Sequence, residues 1–551
     1  MLEELVPYIT NMINLMFKTV EVATCVKEGI LTPVHKNGTD KLYPENYRGI
    51  IVTTVLFTLL ESNLKDLIEP KLLETQRRLQ RSFTTNITSL NAAFIVSEAS
   101  QVYKELTNDR VLLTLDAQKA FDKLHNEILF NKIYHDAITG NAWLLMRNLY
   151  RDVKVKWNNS TSESFRQELG VRQGANISTE LYKRYNNTLL QALKRSNLGA
   201  NIGNINVVAP TCANNIAILA GNEQELQSIL DIVHNLARND LTQINPSKSE
   251  LVPLTKVKNN FSVYLGDNNI ENKDETKHLG LIRTVNNKVN IDDILKIARR
   301  TVYALIGPGL HARHGMSPTV SIRLWKTYVL PRSLCGIEIL NYTKGDIEKF
   351  EKFQLQVCRQ IQGLPNRTAN ISTYSLLGIE PIEATVDKLL LTFFSGVAQD
   401  KLCIEYKIIE RQLPMAKNNT NSFVNRLTET LTKYNLPCAQ ELLHCMPCKQ
   451  EWKITIKNVI QLFWKEKWTT EKEYKSTMQF LDIQQQPFRN PHQIWKLVPN
   501  NTLEIKKKLR LKPSYSPERI LYNQIELNLV SQQMTFVCYV KVTRKIQNIS
   551  Y

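Results

Sequence analysis

The chain has 551 residues, of which 43% are hydrophobic and 22% charged, an ordinary balance for a globular protein with room for two or more domains. Its nine cysteines are scattered, which fits reduced thiols better than a secreted disulfide scaffold. Its longest apolar run, residues 49–60, is shorter than the roughly 20 residues that cross a bilayer. We find no signal peptide, so we expect an intracellular protein of the cytoplasm or nucleus with no membrane partner.

The net charge of +18 favours a polyanionic partner, most simply nucleic acid. Two alternatives stay open at this point. The charge could serve solubility alone, or it could attract a membrane surface or an acidic protein.

In chain order, residues 1–30 have a helical pattern, residues 31–36 resemble a strand, and helical patterns continue to Gln101. Val111–Asp116 is an apolar strand. In 207–220, two apolar runs flank Cys212-Ala213-Asn214-Asn215, which predicts a hairpin with a polar tip. Strands that pack on helices imply an α+β domain. The apolar faces of the three helices predicted after these strands and between them are Phe121, Leu124, Ile128 and Leu129; Leu181, Tyr182, Tyr185 and Leu189; and Leu226, Ile229, Leu230, Val233 and Leu236.

From about residue 290 the pattern is mostly helical, with residues 365–368 and 416–422 as predicted linkers. Cys438, His444, Cys445 and Cys448 invite comparison with a zinc site. Their spacing argues against one, because structural zinc sites usually have two well-spaced ligand pairs.

Asp116 ends an apolar strand, and a strand end can hold a carboxylate rigidly beside a pair of Mg²⁺ ions about 3.5–4 Å apart. The alternative is an N-cap for a helix that begins at Ala117, since aspartate is a favoured cap. Phe121, five residues on, has the helical spacing of a core aromatic, and one face of its ring could serve a second role.

Gly170-Val171-Arg172-Gln173-Gly174 places two glycines around a pair of side-chain donors, just before a helix that opens at Asn176-Ile177-Ser178-Thr179. Glycine lets the backbone approach a ligand closely. Gln173 can donate to a base or a sugar.

Three of these segments resemble, in chain order, motifs A, B and C of reverse transcriptases from non-LTR (LINE-type) retrotransposons. They are the strand Val111–Asp116, the glycine-flanked segment 170–174 and the hairpin tip 212–215. The resemblance implies a right-hand polymerase fold with fingers, a palm built on an antiparallel sheet and a helical thumb. It implies an N-terminal helical lead at 1–24, fingers and palm at 25–290, a thumb-like region at 291–365 and a mostly helical region at 366–551. Elements of this kind usually encode an upstream endonuclease and often a C-terminal Cys/His knuckle, neither of which we find, so we expect a truncated element.

The resemblance also assigns roles by position. It implies two Mg²⁺ ions, deoxynucleoside triphosphates, an RNA template and an RNA–DNA duplex as the ligands. Catalytic and metal positions are Asp116, Asn214, Asn215 and Lys248; nucleotide or template contacts are Lys36, Arg48, Phe121, Gly170, Arg172, Gln173 and Gly174; duplex contacts are His278, Gly280, Lys296, Arg299 and Arg300. Taken alone, each basic residue is more simply a solvated surface charge.

The departure from the family lies at the hairpin tip, where Asn214 and Asn215 replace two aspartates that help to hold the metals. An amide is nearly isosteric with a carboxylate but is a weak ligand for Mg²⁺. We therefore expect the polymerase fold without polymerase activity. The alternative is a non-catalytic nucleic-acid-binding remnant of a decayed element.

Overall fold

The computed structural model describes residues 2–36, 38–106, 110–118, 120–150, 152–157, 160–163, 165–254, 261–284, 290–311, 315–415, 421–474, 491, 492 and 495. Most of the predicted linker at 416–422 and nearly all of the chain beyond 474 lie outside these residues. Two compact units divide the chain. Unit 1 is 1–288 together with 400–415, and unit 2 is 289–399 together with 416–551.

In the described part of residues 1–288, eight helices alternate with the strands of unit 1. They are α1 Leu2–Thr19, α2 Thr24–Lys27, α3 Val55–Thr75, α4 Ser89–Glu105, α5 Asn126–His135, α6 Gly140–Leu149, α7 Ser178–Arg195 and α8 Glu223–Asn239.

The same unit contains the strands. They are β1 Gly29–His35, β2 Tyr47–Val52, β3 Val111–Asp116, β4 Asp152–Trp157, β5 Ser160–Thr161, β6 Phe165–Arg166, β7 Asn201–Ile202, β8 Ile205–Asn206, β9 Thr211–Cys212, β10 Asn215–Ala220, β11 Glu250–Pro253, β12 Tyr264–Leu265, β13 Asn268–Asn269, β14 Glu271–Asn272, β15 Glu275–His278 and β16 Leu281–Thr284.

The central sheet of unit 1, which we call the palm sheet, has the strand order β14-β11-β3-β10-β9. The predicted apolar strand is its middle strand, and β10 and β11 both pair with it antiparallel. Val111, Leu112 and Leu113 are at most 1% exposed. This burial on both faces explains why the strand is a continuous apolar run, and it leaves Asp116 at the end of a rigid element.

A second sheet, the fingers sheet, has the order β2-β1-β4-β5, with β6 also paired to β4. Strand β1 runs antiparallel to β2 and parallel to β4. The amide of Ile51 in β2 donates to the carbonyl of Gln173 at 3.1 Å. The glycine-flanked segment is therefore attached directly to this sheet.

The helices that follow the strands have the predicted apolar faces. Leu181 and Tyr182 of α7 and Leu226 and Ile229 of α8 are at most 1% exposed. The helix predicted directly after Asp116 is wrong in its start, because α5 begins at Asn126.

The residues before α5 are held in a loop by the glycine-flanked segment. The amide of Gly170 donates to the carbonyl of Leu124 at 2.7 Å, and that of Val171 to the carbonyl of Phe121 at 2.8 Å. These carbonyls are therefore satisfied outside a helix. Because no helix begins at Ala117, Asp116 is not the N-cap of a helix.

Unit 2 is helical where it is described, and one helix of the C-terminal part returns to unit 1. The helices of unit 2 before this return are α9 Ile291–Ile306, α10 Pro318–Leu324, α11 Leu330–Ser333, α12 Lys344–Gln362, α13 Asn370–Leu377 and α14 Ile382–Ala398. Helix α15, Ile404–Gln412, belongs to unit 1. Helices α16 Phe423–Lys433, α17 Ala439–His444 and α18 Lys449–Glu473 complete unit 2. Within the described residues, no helix has the length and apolar character needed to cross a membrane.

Candidate functional site

Asp116 lies beside the hairpin formed by β9 and β10. In the palm sheet Asp116 is the register partner of Asn215. The tip residue Ala213 has a φ of 55°, a left-handed conformation that closes the short turn. The structure thus brings together the three positions that the resemblance assigned to the metals.

The carboxylate of Asp116 is bound by the amide of Asn214. Asn214 Nδ2 donates to Asp116 Oδ1 at 2.6 Å. An ionised carboxylate can only accept hydrogen bonds, so the amide must present its NH₂ group to it. The Asn214 side chain therefore meets Asp116 through its nitrogen and not through the oxygen that could bind a metal.

Lys248 supplies a positive charge at the same place. Its Nζ lies 3.6 Å from Asp116 Oδ2, and its side chain is 67% exposed. The loop that carries it is fixed to the strand end, because the amide of Asn245 donates to the backbone carbonyl of Asp116 at 2.9 Å. An exposed pair of this kind contributes little to stability, but it adds an ammonium group where a metal site needs anions.

The residues at this site do not fit two Mg²⁺ ions. One carboxylate is faced by an amide donor and an ammonium group, whereas Mg²⁺ dehydrates reluctantly and is usually held by carboxylates and phosphates. Across the part of the chain that the structure describes, no group of three or more His, Cys, Asp or Glu side chains could hold a metal ion. Cys438, His444, Cys445 and Cys448 lie within this described part of the chain.

Phe121 packs between two aromatic rings. It stacks on Tyr182 with ring centroids 4.8 Å apart and meets the edge of Phe83 at 6.1 Å. Burial raises the pKa of the Tyr182 phenol, with a smaller contribution from Asp116. Phe121 is half-buried against the core, which leaves part of the ring accessible beside the Asp116 site.

Gly170 and Gly174 have φ values of 83° and 104°, which glycine adopts without strain. A Cβ atom on Gly170 would lie 2.8 Å from the carbonyl oxygens of Phe121 and Asp122. Gln173 Nε2 donates to Asp122 Oδ1 at 2.9 Å. The segment is therefore built against the loop after Asp116, and Gly170 is required by a close backbone approach.

Arg172 corrects the sequence analysis, which assigned it to nucleotide or template binding. Its side chain is fully buried, with the guanidinium 4.6 Å from the Phe57 ring centroid. It cannot reach a ligand at the surface. The sequence pattern indicates a side-chain donor between two glycines, but it does not reveal that this donor is buried.

Glu61 of α3, which the sequence analysis missed, is a buried carboxyl group near Arg172. It accepts hydrogen bonds from the Tyr150 hydroxyl at 3.0 Å and the Asn176 amide at 3.1 Å. Burial raises the pKa of Glu61 to about 7, while those hydrogen bonds and the charge of Arg172 act in the opposite direction. Its sequence signal was weak, since one glutamate in a helix is usually exposed.

The remaining predicted contacts fall into three groups. Lys36 is half-buried and donates to the carbonyl of Glu45 at 2.8 Å, and Arg48 is exposed on β2. Gly280 lies at the turn of the β15–β16 hairpin with a φ of 86°. Lys296, Arg299 and Arg300 are exposed on α9, in unit 2.

His278 is a second correction. It is 2% exposed, and burial, helped by Arg283, lowers its pKa to about 3. The imidazole is therefore neutral and enclosed, and the predicted contact with a duplex cannot involve this side chain. His278 pairs with Leu281 across the turn of the β15–β16 hairpin.

Comparison with known proteins agrees with this geometry. Residues 34–283 match the reverse transcriptase (RNA-dependent DNA polymerase) family. Over 336 residues the chain is 24% identical to the retrovirus-related Pol polyprotein from the type-2 retrotransposable element R2DM of Drosophila melanogaster. That alignment covers 58% of this chain and 31% of the polyprotein, so the chain spans less than a third of that relative's length.

Solved polymerases are also similar. One is the telomerase of Candida albicans in complex with a TWJ fragment of telomeric RNA, with a TM-score of 0.39, 12% identity, and coverage of 84% of this chain and 66% of that one. Another is the RNA-dependent RNA polymerase of a human picorbirnavirus, with a TM-score of 0.35, 13% identity, and coverage of 63% and 59%.

The chain therefore contains a reverse transcriptase domain of the non-LTR retrotransposon type. The predicted family is confirmed by these matches, and the predicted α+β class is confirmed by the described helices and strands of unit 1.

Proposed function

We propose that this protein is a retrotransposon-derived reverse transcriptase that binds an RNA template and an RNA–DNA duplex but does not polymerise DNA. The observation that carries the proposal is the hydrogen bond from Asn214 to Asp116. Template-directed nucleotidyl transfer by two metal ions requires anionic ligands around the reacting groups. Here one carboxylate remains, and its negative charge is already engaged.

Retention of nucleic-acid binding is supported by charge. The net charge is +18, and Arg48, Arg299 and Arg300 are exposed cations at positions that the family resemblance assigns to nucleotide, template or duplex contacts. Contacts to a phosphate backbone do not require metals. The scattered cysteines suit a reducing compartment, the cytoplasm or the nucleus.

The chemical half of the proposal is tested by primer extension on an RNA template with Mg²⁺ and deoxynucleoside triphosphates. The unmodified chain is expected to extend a primer no faster than its Asp116→Asn variant. The double variant Asn214→Asp with Asn215→Asp supplies the missing anions, and extension should rise only if the rest of the site is intact. Clear Mg²⁺-dependent extension by the unmodified chain, lost in Asp116→Asn, would identify an active enzyme.

The binding half is tested separately with a labelled RNA–DNA duplex over a range of salt concentrations. We expect binding with little sequence preference that weakens steeply with salt, since phosphate contacts release counterions. Absence of binding at low ionic strength would indicate that the net charge of +18 serves solubility alone. It would also reject the function, whatever the extension assay shows.

A further inference from the structure

The hairpin tip beside Asp116 is held by Gln80, from the loop between α3 and α4. Gln80 Oε1 accepts from the amide of Ala213 at 3.1 Å, and Gln80 Nε2 donates to the carbonyl of the same residue at 3.4 Å. Gln80 is 2% exposed. One buried side chain thus satisfies both backbone groups of the residue with left-handed geometry at the tip.

The backbone around Gln80 extends the palm sheet. The amide of Arg81 donates to the carbonyl of Thr211 at 2.8 Å, and the amide of Thr211 donates to the carbonyl of Leu79 at 2.9 Å. Residues 79–81 therefore pair with β9 and cover its outer edge. Any displacement of this segment moves Gln80 relative to the tip.

The side chain of Arg81 is fixed by α15, far along the chain. Its Nε lies 2.8 Å from Glu405 Oε1, and the two side chains are 5% and 0% exposed. Arg78, in the same loop, donates to the carbonyl of Leu402. A buried charge that loses its partner is costly, so Glu405 and Arg81 depend on each other for their position.

Helix α15 has its own anchors in unit 1. Ile408 and Ile409 are fully buried. Arg411 packs against Gly203 in the β7–β8 turn, where a Cβ atom would collide with its guanidinium. The helix can therefore hold Arg81 in place as part of the unit's core.

We infer that α15 is a brace for the hairpin that carries Asn214 and Asn215. Glu405 fixes Arg81, the backbone of 79–81 fixes β9, and Gln80 fixes Ala213. Gln80 and Glu405 are positioning residues, since they act on the hairpin and touch no reacting group. The inference concerns the placement of the tip and is independent of whether the protein polymerises DNA.

The test is amide hydrogen exchange resolved to residues 211–217, measured on the full chain. Gln80→Ala and Glu405→Gln are each expected to speed exchange at Thr211 and Ala213 by about tenfold, through local opening. The matched control is Glu61→Gln. It also neutralises a fully buried glutamate of unit 1, but the partners of Glu61 lie outside 79–81. Exchange at 211–217 should stay within about twofold in this control.

Ile408→Val provides a milder variant in case Glu405→Gln fails to fold. It removes one methylene from the α15 anchor and keeps every charge, and exchange at Ala213 should still rise about threefold. Unchanged exchange at the tip in folded Ile408→Val would contradict the inference that α15 fixes the hairpin. So would an equal rise across α4 and α7 in Gln80→Ala, because that pattern indicates loosening of the whole unit.

Discussion

Asn214 Nδ2 lies 2.6 Å from Asp116 Oδ1, so an amide donor occupies the contact through which a second carboxylate would meet the first. This arrangement needs no metal, because the amide donor and the carboxylate acceptor satisfy each other's hydrogen-bonding capacity. It also makes the response of this site to added charge predictable.

Asn214→Asp alone should destabilise the protein by about 1–2 kcal/mol in the absence of divalent ions, because two carboxylates in contact cannot both ionise freely. Mg²⁺ should recover this loss in Asn214→Asp and in the double variant with Asn215→Asp, and should leave the unmodified chain unchanged. Thermal unfolding with and without Mg²⁺ measures both effects. Asn268→Asp, at an exposed position on β13, is the control, and an equal Mg²⁺ response there would contradict a specific site.

The buried carboxyl of Glu61 predicts a dependence of stability on pH. Its pKa is raised from 4.5 to about 7, so the native state favours the protonated form. The contribution is complete below about pH 4.5 and is lost as the pH rises through about 7, a change on the order of 3 kcal/mol in the free energy of unfolding. Urea unfolding between these pH values measures it. Glu61→Gln should flatten this part of the curve, and an unaltered slope would show that another group is responsible.

Gly170→Ala should cost more than about 2 kcal/mol, since a Cβ atom would sit 2.8 Å from two backbone carbonyl oxygens in addition to the left-handed strain. Gly140→Ala is the matched control. Gly140 has a φ of 66° and no atom within 4 Å of the added Cβ, so only the conformational cost of about 1 kcal/mol applies. The two variants are compared by urea denaturation, and equal losses would contradict the close approach.

The exposed arginines of α9 distinguish a duplex-binding helix from a solvated helix face. If they contact phosphates, Arg299→Ala with Arg300→Ala should weaken binding to an RNA–DNA duplex and lower the slope of log affinity against log salt by about 2. Lys453→Ala with Lys457→Ala, two exposed lysines of α18 in the same unit, should change the slope little if α18 lies off the duplex path. Equal effects of both pairs would favour diffuse attraction.

Local patterns in the sequence predicted the middle strand and the hairpin of the palm sheet, but not β11 or β14. Val111–Asp116 is recognisable because a strand buried on both faces is continuously apolar, and the helices around Tyr182 and Ile229 have a clear helical period. Asp116 and Asn214 could be placed together because a strand and the hairpin beside it share one edge.

Long-range burial was not predictable in the same way. The loop after Asp116 has a helix-like pattern, yet Gly170 and Val171 engage its carbonyls from a distant segment. Arg172 and His278 were assigned to ligands by their positions in family motifs, and these motifs do not reveal that neighbouring side chains enclose them. Gln80 and Glu405 have no local signal, since their roles depend on contacts between distant parts of the chain.

The return of α15 to unit 1 has a consequence for biosynthesis. Arg78 and Leu402 are in contact across 324 residues of chain, so the ribosome must synthesise residues 289–399 of unit 2 before unit 1 can close. At about 5–20 residues per second this interval lasts on the order of tens of seconds, and for that time Arg81 and the surface that receives α15 have no partner. Contacts between such distant positions in the sequence slow folding. Until they form, an apolar surface is exposed to aggregation or to chaperones. A nascent chain that stops short of residue 400 would remain in that state, which makes α15 a requirement for a finished palm.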